Sequence, residues 1–242
     1  MKAFELMYLC AEPFLPPLHR KVRKRLSAVA KSRPAELDIL DVGGRKSHYT
    51  IGVPGQITIT DLPRESETQK ELNLGLTPEI VDENQTRRSN VRRVLYDDMT
   101  KSKLPSESFD LVVAVEVLEH VEEDDKFVCE VHRVLKPGGL FLMTTPNGDS
   151  VKNTNPDHKR HYRREELRGL LDHCFGKVEV EYAIRGGKFR TLGLRSWSPR
   201  RPIQTALSML GNTINSLQSA RPTIKHQAIG TRHLIATALK QN

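Results

Sequence analysis

The clearest pattern of apolar and polar positions lies between residues 104 and 147. Phe109 to Val115 is a run of apolar and β-branched residues broken by one acid, a pattern typical of a strand buried on both faces of a parallel sheet. From Glu122 to Leu135 the apolar residues recur at helical spacing with charges between them. Residues 136–139 (KPGG) predict a turn, and Leu140 to Thr144 is the next buried strand.

These three elements form a βαβ unit, whose handedness places the helix on one face of a parallel sheet. Ligands of such sheets bind at the carboxyl ends of the strands. The sequence places Glu116 to His120 and Thr145 to Asn147 at those ends. Both segments are therefore predicted to belong to a binding site.

Similar patterns predict five further strands, at residues 37–42, 56–60, 91–96, 177–184 and 233–239. Residues 1–26 predict a helical segment broken by prolines, and a helix is predicted to start at Arg163 to Leu167 and to end near Phe175. The polar stretch from Arg64 to Arg92 predicts a loop or a short helix at the edge of the sheet.

The phrases FDLVVAVEVLEHV and EVHRVLKPGGLFLMTTPN resemble the fourth and fifth motifs of the class I S-adenosylmethionine-dependent methyltransferases. The resemblance covers residues 37–175. It implies an α/β, three-layer αβα fold with a Rossmann-like, mostly parallel sheet of seven strands, the last one antiparallel. It also implies S-adenosyl-L-methionine as the cofactor.

A glycine loop follows the first strand, and in the resembled family this loop approaches the cofactor. Asp41, Gly43 and Gly44 match the family's pattern. Residues 45–47 (RKS) stand where a further glycine is expected, so the motif is degenerate. Gly52, Pro54 and Gly55 arrive soon afterwards, and we expect a loop or a single turn in place of a full helix.

Acidic residues also end the second and third strands. Asp61 comes about 20 residues after Asp41, where dinucleotide folds place a carboxylate on the ribose hydroxyls, and Leu62 follows it. Family members place an acid and an apolar residue against the adenine after the third strand. Asp97, Asp98 and Met99 occupy that place, with Asp98 and Met99 favoured over Asp97.

Three interpretations of the segment Glu116–His120 stay open. In the first, Glu116, Val117 and Leu118 line the methionine end of the cofactor, and Glu119 and His120 cap the next helix. In the second, His120 is a general base, because imidazole titrates near neutrality. The third rests on resemblance to ubiquinone-pathway O-methyltransferases, in which a similar phrase holds a divalent ion through two carboxylates and an imidazole. We rank it last and predict no metal.

The loop after the fifth strand carries three more candidates. In the resembled family this loop has a His/Arg/Tyr phrase that faces the acceptor. His158, His161 and Tyr162 are therefore candidates for contact with the acceptor or for proton removal. The alternative is a loop packed by its own aromatic and polar side chains.

The net charge of +8 is unevenly distributed along the 242 residues. Residues 1–35 carry +6, residues 182–242 carry +10 and no acid, and the part between carries −8. We predict a basic helical amino-terminal arm (1–35) and a methyltransferase domain (36–242) with a basic insertion (185–231). Such basic ends favour anionic partners, although a solvated surface without a partner is the alternative.

The insertion holds an apolar stripe at helical spacing: Ile203, Ala206, Leu207, Leu210, Ile214 and Leu217. Such a stripe commonly packs on its own domain. A lid over the acceptor and a patch on an anionic membrane surface are the alternatives. Cys10, Cys129 and Cys174 show no metal or disulfide spacing and are expected to be buried, inert thiols. Without a signal-peptide pattern or a membrane-spanning run, we expect a cytoplasmic protein, with a peripheral membrane location left open.

These observations predict methyl transfer from S-adenosylmethionine, most simply to an oxygen of a small molecule, a glycan or a lipid-linked acceptor. Two rival functions remain. An RNA methyltransferase would use the basic ends, although no RNA-binding module is recognisable. A non-catalytic protein with this fold would account for the degenerate glycine loop.

Overall fold

The computed structural model describes residues 1–33, 35–65 and 75–241. Seven strands form one sheet in the order β3-β2-β1-β4-β5-β7-β6. β7 runs antiparallel to β5 and β6, and the other neighbouring pairs are parallel, which confirms the predicted sheet. The strands are β1 Asp38–Val42, β2 Gln56–Asp61, β3 Val91–Tyr96, β4 Phe109–Val115, β5 Leu135–Pro146, β6 Lys177–Arg185 and β7 Thr231–Leu239.

Seven α-helices flank the sheet in the described residues. They are α1 Ala3–Ala11, α2 Pro17–Ser32, α3 Pro78–Arg87, α4 Asp124–Val134, α5 Arg164–Asp172, α6 Lys188–Gly193 and α7 Pro202–Ser219. Helix α3 lies within the stretch predicted as a loop or short helix, of which residues 66–74 are outside the described part. No helix among the described residues is long and apolar enough to cross a membrane.

Alternating strand residues divide the core into two layers. Val112 and Ala114 of β4 pack with apolar residues of α4 and α5 on one face of the sheet. Leu111 and Val113 of the same strand pack with α2 on the other face. A strand buried on both faces must be apolar at successive positions, which explains the continuous hydrophobic run of β4.

Strand β5 begins five residues earlier than predicted. The KPGG segment was expected to form a turn, but the chain continues as strand from Leu135. Gly138 N–H donates to the Lys240 carbonyl at 3.0 Å, and Lys240 N–H donates to the Gly139 carbonyl at 3.0 Å. Pairing with residues more than 100 positions away thus replaces the local turn, with a register shift against β4.

Helix α2 packs on the sheet through Leu18, Val22 and Leu26, which are buried. Their spacing puts them on one face of the helix, and the basic residues between them are less buried. Helix α2 of the predicted amino-terminal arm thus packs against the sheet.

The thiols differ from expectation in burial. Cys10 and Cys129 are exposed, so neither is a buried core residue. The Sγ atoms of Cys129 and Cys174 lie 2.9 Å apart, although 45 residues separate them in the sequence. Spacing along the chain did not show this proximity because α4 and the end of α5 meet only in the fold.

Candidate active site

The candidate site lies where β1, β2, β3, β4 and β5 end at one edge of the sheet. Parallel neighbours place their carboxyl ends at the same edge. Gly43 N–H donates to the Thr60 carbonyl at 2.7 Å, and Asp97 N–H donates to the Asp61 carbonyl at 3.2 Å. The structure therefore brings together the segments predicted to bind the cofactor.

The glycine loop after β1 forms two short 3-10 turns, Gly44–Lys46 and His48–Thr50, in place of an α-helix. Gly43 has φ +67°, and a Cβ there would lie 2.6 Å from Val117 Cγ2. Glycine thus permits both the left-handed backbone and the close approach of the Val117 segment. The expectation of a loop or single turn agrees with this geometry.

Asp41 lies beneath this loop and is completely buried. Its carboxylate accepts hydrogen bonds from Tyr49 Oη at 2.8 Å and from Thr50 Oγ1 at 3.1 Å. Burial raises the Asp41 pKa to about 6, and the hydrogen bonds and the Arg88 charge act against this rise. We assign Asp41 to holding the loop in shape, in place of the direct cofactor contact expected from sequence.

Asp61 ends β2 and keeps part of its carboxylate available. Oδ1 accepts from Leu62 N–H at 2.8 Å, and Oδ2 lies 3.3 Å from Arg45 Nη1. Burial raises the Asp61 pKa, while the Arg45 charge acts in the opposite direction. A carboxylate can accept about four hydrogen bonds, so two positions remain for ribose hydroxyls. The exposed Leu62 side chain lies next to them in sequence.

The two acids after β3 differ in their contacts. Asp98 Oδ1 accepts from Thr100 N–H and Oγ1, and Oδ2 lies 3.4 Å from Lys101 Nζ. Asp97 Oδ1 accepts from Lys103 N–H, while its buried Oδ2 has no hydrogen-bond partner among the described residues. Asp97 thus has the free acceptor, and the preference for Asp98 stays a prediction. Met99 is buried in the core.

These residues fit an adenosyl group in their chemistry. Asp61 retains acceptor positions beside an exposed leucine, and Asp97 has a buried oxygen that lacks a donor. Ribose hydroxyls and an adenine amino group are donors of the kind that such carboxylates lack. The residues at the strand ends can therefore hold S-adenosylmethionine.

Glu116 ends β4 with φ +55°, a left-handed backbone that is rare outside glycine. Its Oε1 accepts from Thr144 Oγ1 at 3.0 Å, and its Oε2 lies 3.5 Å from His233 Nε2. Burial raises the Glu116 pKa to about 7, and the charge of Arg190 acts against the rise. The strained backbone and the raised pKa together make Glu116 a candidate functional residue.

Glu116→Gln is expected to raise the melting temperature, and to raise it more at pH 8 than at pH 5. The folded carboxyl has a pKa of about 7, above the ordinary value of 4.5, so the folded state loses stability as pH rises through this interval. Glutamine carries no charge and avoids that loss. Calorimetric melting between pH 5 and 8 measures the difference, with the exposed Glu179→Gln as control. An equal gain at both pH values would contradict the assignment.

Glu119 is completely buried, and neither carboxylate oxygen has a hydrogen-bond partner among the described residues. Burial and the nearby Glu116 charge raise its pKa well above the usual value. Burial therefore favours the neutral form of this carboxyl unless a cation binds. The interpretation of Glu119 as a helix cap is wrong, because α4 begins at Asp124 and Glu119 lies in a 3-10 turn before it.

The structure brings His120, His158 and His161 into one cluster. The His120 and His158 rings meet edge to face with centroids 4.7 Å apart, and the His158 and His161 centroids are 5.1 Å apart. His120 Nδ1 lies 2.7 Å from Asp157 Oδ2. His120 is also close enough to Asp61 for its charge to lower the Asp61 pKa. The histidine cluster therefore lies beside the predicted cofactor residues.

Hydrogen bonds within the cluster indicate which nitrogen is free. His161 Nδ1 lies 3.0 Å from the Val151 carbonyl, which can only accept, so Nδ1 carries the proton. A neutral His161 then accepts at Nε2 from His158 Nδ1, 2.8 Å away. This leaves a lone pair on His158 Nε2. Burial and the neighbouring His120 and His161 lower the His158 pKa, so the ring is neutral at pH 7.

The loop that carries the histidines is held by Asp124. Tyr162 Oη donates to Asp124 Oδ2 at 2.7 Å, and Arg160 Nη1 donates to the same oxygen at 2.7 Å. Lys159 N–H donates to the Glu119 carbonyl at 2.7 Å. Tyr162 is buried and acts as an anchor of the loop, so its predicted contact with the acceptor is not supported by this geometry.

Glu119, His120 and His158 each offer one ligand atom, and these atoms lie within 4.8 Å of one another. A carboxylate and two imidazoles are suitable donors for a divalent cation. This set differs from the sequence interpretation, because His158 takes the place of Glu116. The prediction that the chain uses no metal stays a prediction.

Two further residues lie at this edge of the sheet and were not predicted from the sequence as site residues. His233 on β7 is buried, and burial lowers its pKa to about 3, so it is neutral beside Glu116. Arg190 of α6 lies close enough to lower the Glu116 pKa. Both come from the last quarter of the chain, and the antiparallel pairing of β7 with β5 brings His233 to the site.

Comparison with known proteins indicates which family this domain resembles. Residues 51–143 match a family model described as "Methyltransferase domain". A probable S-adenosylmethionine-dependent methyltransferase of Mycolicibacterium smegmatis is 37% identical over 99 residues, which are 39% of this chain and 38% of that protein. Residues 51–143 therefore form a methyltransferase domain, and the matched relative is named as S-adenosylmethionine-dependent. The match spans about two fifths of the relative's length.

The name of one further relative states its acceptor, and a solved structure shows a similar fold. A sterol 24-C-methyltransferase of Aspergillus fumigatus is 41% identical over 68 residues, or 26% of this chain and 17% of that protein. A SAM-dependent methyltransferase from Archaeoglobus fulgidus superposes with a TM-score of 0.58, covering 92% of this chain and 94% of that chain at 15% identity. The last likeness shows the fold alone.

Proposed function

We propose that this chain transfers a methyl group from S-adenosylmethionine to an oxygen of an acceptor held at the histidine cluster. The single observation that carries the proposal is the convergence of His120, His158 and His161 beside Asp61 at one edge of the sheet. The methyltransferase domain supplies the fold and the cofactor class. The choice of an oxygen as the methylated atom rests on the histidines, because a hydroxyl acceptor must lose its proton to a base.

Each element of the site has a part in holding the cofactor. Asp61 would accept from the ribose hydroxyls, with Leu62 against the sugar or base. Asp97 or Asp98 would accept from the adenine amino group, and Glu116 and Val117 would line the methionine end. When bound, S-adenosylmethionine supplies a methyl group on a sulfonium, which is already a good leaving group.

Alignment of the acceptor is then the main task of the protein. Holding reactants in line turns a bimolecular step into an effectively unimolecular one. His158 Nε2 would take the hydroxyl proton, since its lone pair is free and its ring is neutral at pH 7. His161 positions His158 through their 2.8 Å hydrogen bond, and Asp157 orients His120.

The acceptor class rests on chemistry as well as on the relatives. A small molecule, a glycan or a lipid-linked acceptor with a hydroxyl would suit a histidine base. One relative, a sterol 24-C-methyltransferase, supports an apolar acceptor, although its name states a carbon in place of an oxygen as the methylated atom. An RNA acceptor would make binding weaken steeply with salt, because basic residues would then contact phosphates.

Methyl transfer from labelled S-adenosylmethionine to fractionated cell extract tests the function. We expect label in a small-molecule, glycan or lipid fraction, and less than a tenth of it when His158→Gln replaces the wild type. Label that enters RNA would favour the RNA alternative. No labelled product, together with no binding of the cofactor, would favour a non-catalytic protein.

Turnover is expected to be unchanged by excess EDTA. The leaving group is already activated and His158 can take the proton, so the mechanism does not call for a cation. A rate assay before and after chelation, with dialysed protein as the control, measures this. Loss of activity that Mg²⁺, Mn²⁺ or Zn²⁺ restores would instead assign Glu119, His120 and His158 as ligands.

A further inference from the structure

Helix α7 is oriented with its polar face inward. Its buried residues are small or polar: Ser208, Gly211, Asn212, Asn215 and Ser219. Its apolar residues Ile203, Leu210 and Leu217 are 77%, 54% and 69% exposed. A helix on the surface of a water-soluble domain normally has the opposite arrangement. The predicted stripe therefore exists but does not pack on its own domain.

Hydrogen bonds fix this orientation. Asn212 Nδ2 donates to the Phe14 carbonyl at 2.9 Å, and Asn215 Nδ2 donates to the Arg185 carbonyl at 2.8 Å. Ser219 Oγ accepts from Arg185 N–H at 2.9 Å. Rotation of the helix would leave these buried groups without partners, which is costly. The apolar face is thus held outward by the fold.

The outward stripe, Ile203–Leu207–Leu210–Ile214–Leu217, is a straight row of aliphatic side chains. Its spacing of three and four residues keeps it on one side of the helix, over about 21 Å at 1.5 Å per residue. Four of the five residues are exposed and Ile214 is partly exposed. Scattered single apolar residues are normal on a surface, but a continuous row marks an interaction site.

Cations border both ends of this stripe. Arg200 and Arg201 precede the helix, and Arg221 follows it, two residues after its end at Ser219. All three are exposed, and none pairs with a carboxylate in the part of the chain that the structure describes. No acidic residue follows Glu181 in the sequence. The surface around the stripe therefore attracts anions.

We propose that α7 docks on an anionic membrane surface, with the stripe in the boundary between head groups and acyl chains. An aliphatic face with basic residues at its borders has the character of an interfacial helix. The row consists of leucine and isoleucine and has no aromatic residue of the kind that protein interfaces favour. This surface is separate from the proposed methyl transfer and does not depend on it.

Sedimentation of the full chain with lipid vesicles tests the proposal. We expect binding to vesicles of phosphatidylglycerol and phosphatidylcholine to be at least about tenfold tighter than to phosphatidylcholine alone, and to weaken with salt. Ile203→Gln with Leu217→Gln should lower the partition coefficient at least about tenfold. Glutamine is a good helix former, and circular dichroism checks the fold.

Ile229→Gln is the matched control for the stripe. Ile229 is 79% exposed and lies outside α7, so its loss should leave vesicle binding unchanged. Arg200→Gln with Arg201→Gln should weaken binding to anionic vesicles about tenfold and leave binding to neutral vesicles unchanged. Arg168→Gln with Lys177→Gln removes two exposed charges elsewhere and should have no such effect.

Three results would overturn the proposal. The first is no preference for anionic vesicles, and the second is binding that survives the loss of Ile203 and Leu217. The third is a concentration-dependent dimer, seen by analytical ultracentrifugation, that Ile203→Gln with Leu217→Gln abolishes. That result would show the stripe to be an interface between two copies of this chain.

Discussion

Asp61→Ala is expected to weaken the binding of S-adenosylmethionine and S-adenosylhomocysteine by at least about tenfold. The Asp61 carboxylate is mostly buried and has two acceptor positions left for ribose hydroxyls. Hydrogen bonds to a charged group contribute about 1.5–3 kcal/mol, which corresponds to a tenfold change or more. Titration calorimetry at pH 8 is suitable, because burial raises the Asp61 pKa and the carboxyl must be ionised.

Arg45→Gln is the control for this prediction. Loss of Asp61 also removes its ion pair with Arg45, and the resulting unpaired guanidinium could weaken binding indirectly. Arg45→Gln removes the same ion pair and keeps the carboxylate, so we expect it to bind within about threefold of the wild type. Wild-type affinity in Asp61→Ala, or an equal loss in Arg45→Gln, would contradict a ribose contact by Asp61.

His158→Gln is expected to lower turnover about 10²- to 10⁴-fold, the usual contribution of a general base. Cofactor affinity should not change, because the predicted cofactor contacts come from other residues. The wild-type rate should rise with pH through a value below 6.5 and then level off, since burial and the neighbouring histidines lower the His158 pKa. Rate measurements with the identified acceptor across pH 5 to 9 test both points.

His161→Gln and His173→Gln separate proton removal from general damage. His161 acts on His158 through one hydrogen bond, so its loss should cost less than the loss of His158. His173 is exposed and follows α5, so its replacement should leave turnover unchanged. Full turnover in His158→Gln would remove it as the base and leave His120 and His161 as the candidates in the cluster.

The strands were predictable because the local pattern of apolar and polar residues reflects how they are buried. The bounds of β3 and β4 agree with the sequence prediction. Strand β4 is covered on both faces and therefore needs apolar residues at successive positions. The start of β5 was not predictable, because proline and glycine in residues 136–139 favour a local turn. Only the pairing of Gly138 and Gly139 with Lys240 overrides that preference.

The site was predictable in part. The roles proposed for Asp61 and for the two acidic residues after β3 could be predicted from the sequence, because these residues stand at the ends of strands. The histidine cluster required the loop to fold back through the contacts of Arg160 and Tyr162 with Asp124, which no spacing shows. Arg190 and His233 come from distant sequence. The sequence showed that α7 is amphipathic. The direction in which its apolar face points depends on hydrogen bonds to backbone carbonyls in other parts of the chain.

The central claim is that the strand ends bind an adenosyl cofactor. Titration of S-adenosylhomocysteine into the folded wild-type chain by calorimetry measures this directly, without an acceptor. We predict saturable binding at one site, weakened in Asp61→Ala. Absence of any heat of binding at millimolar S-adenosylhomocysteine, in protein whose fold is confirmed by circular dichroism, would contradict the claim.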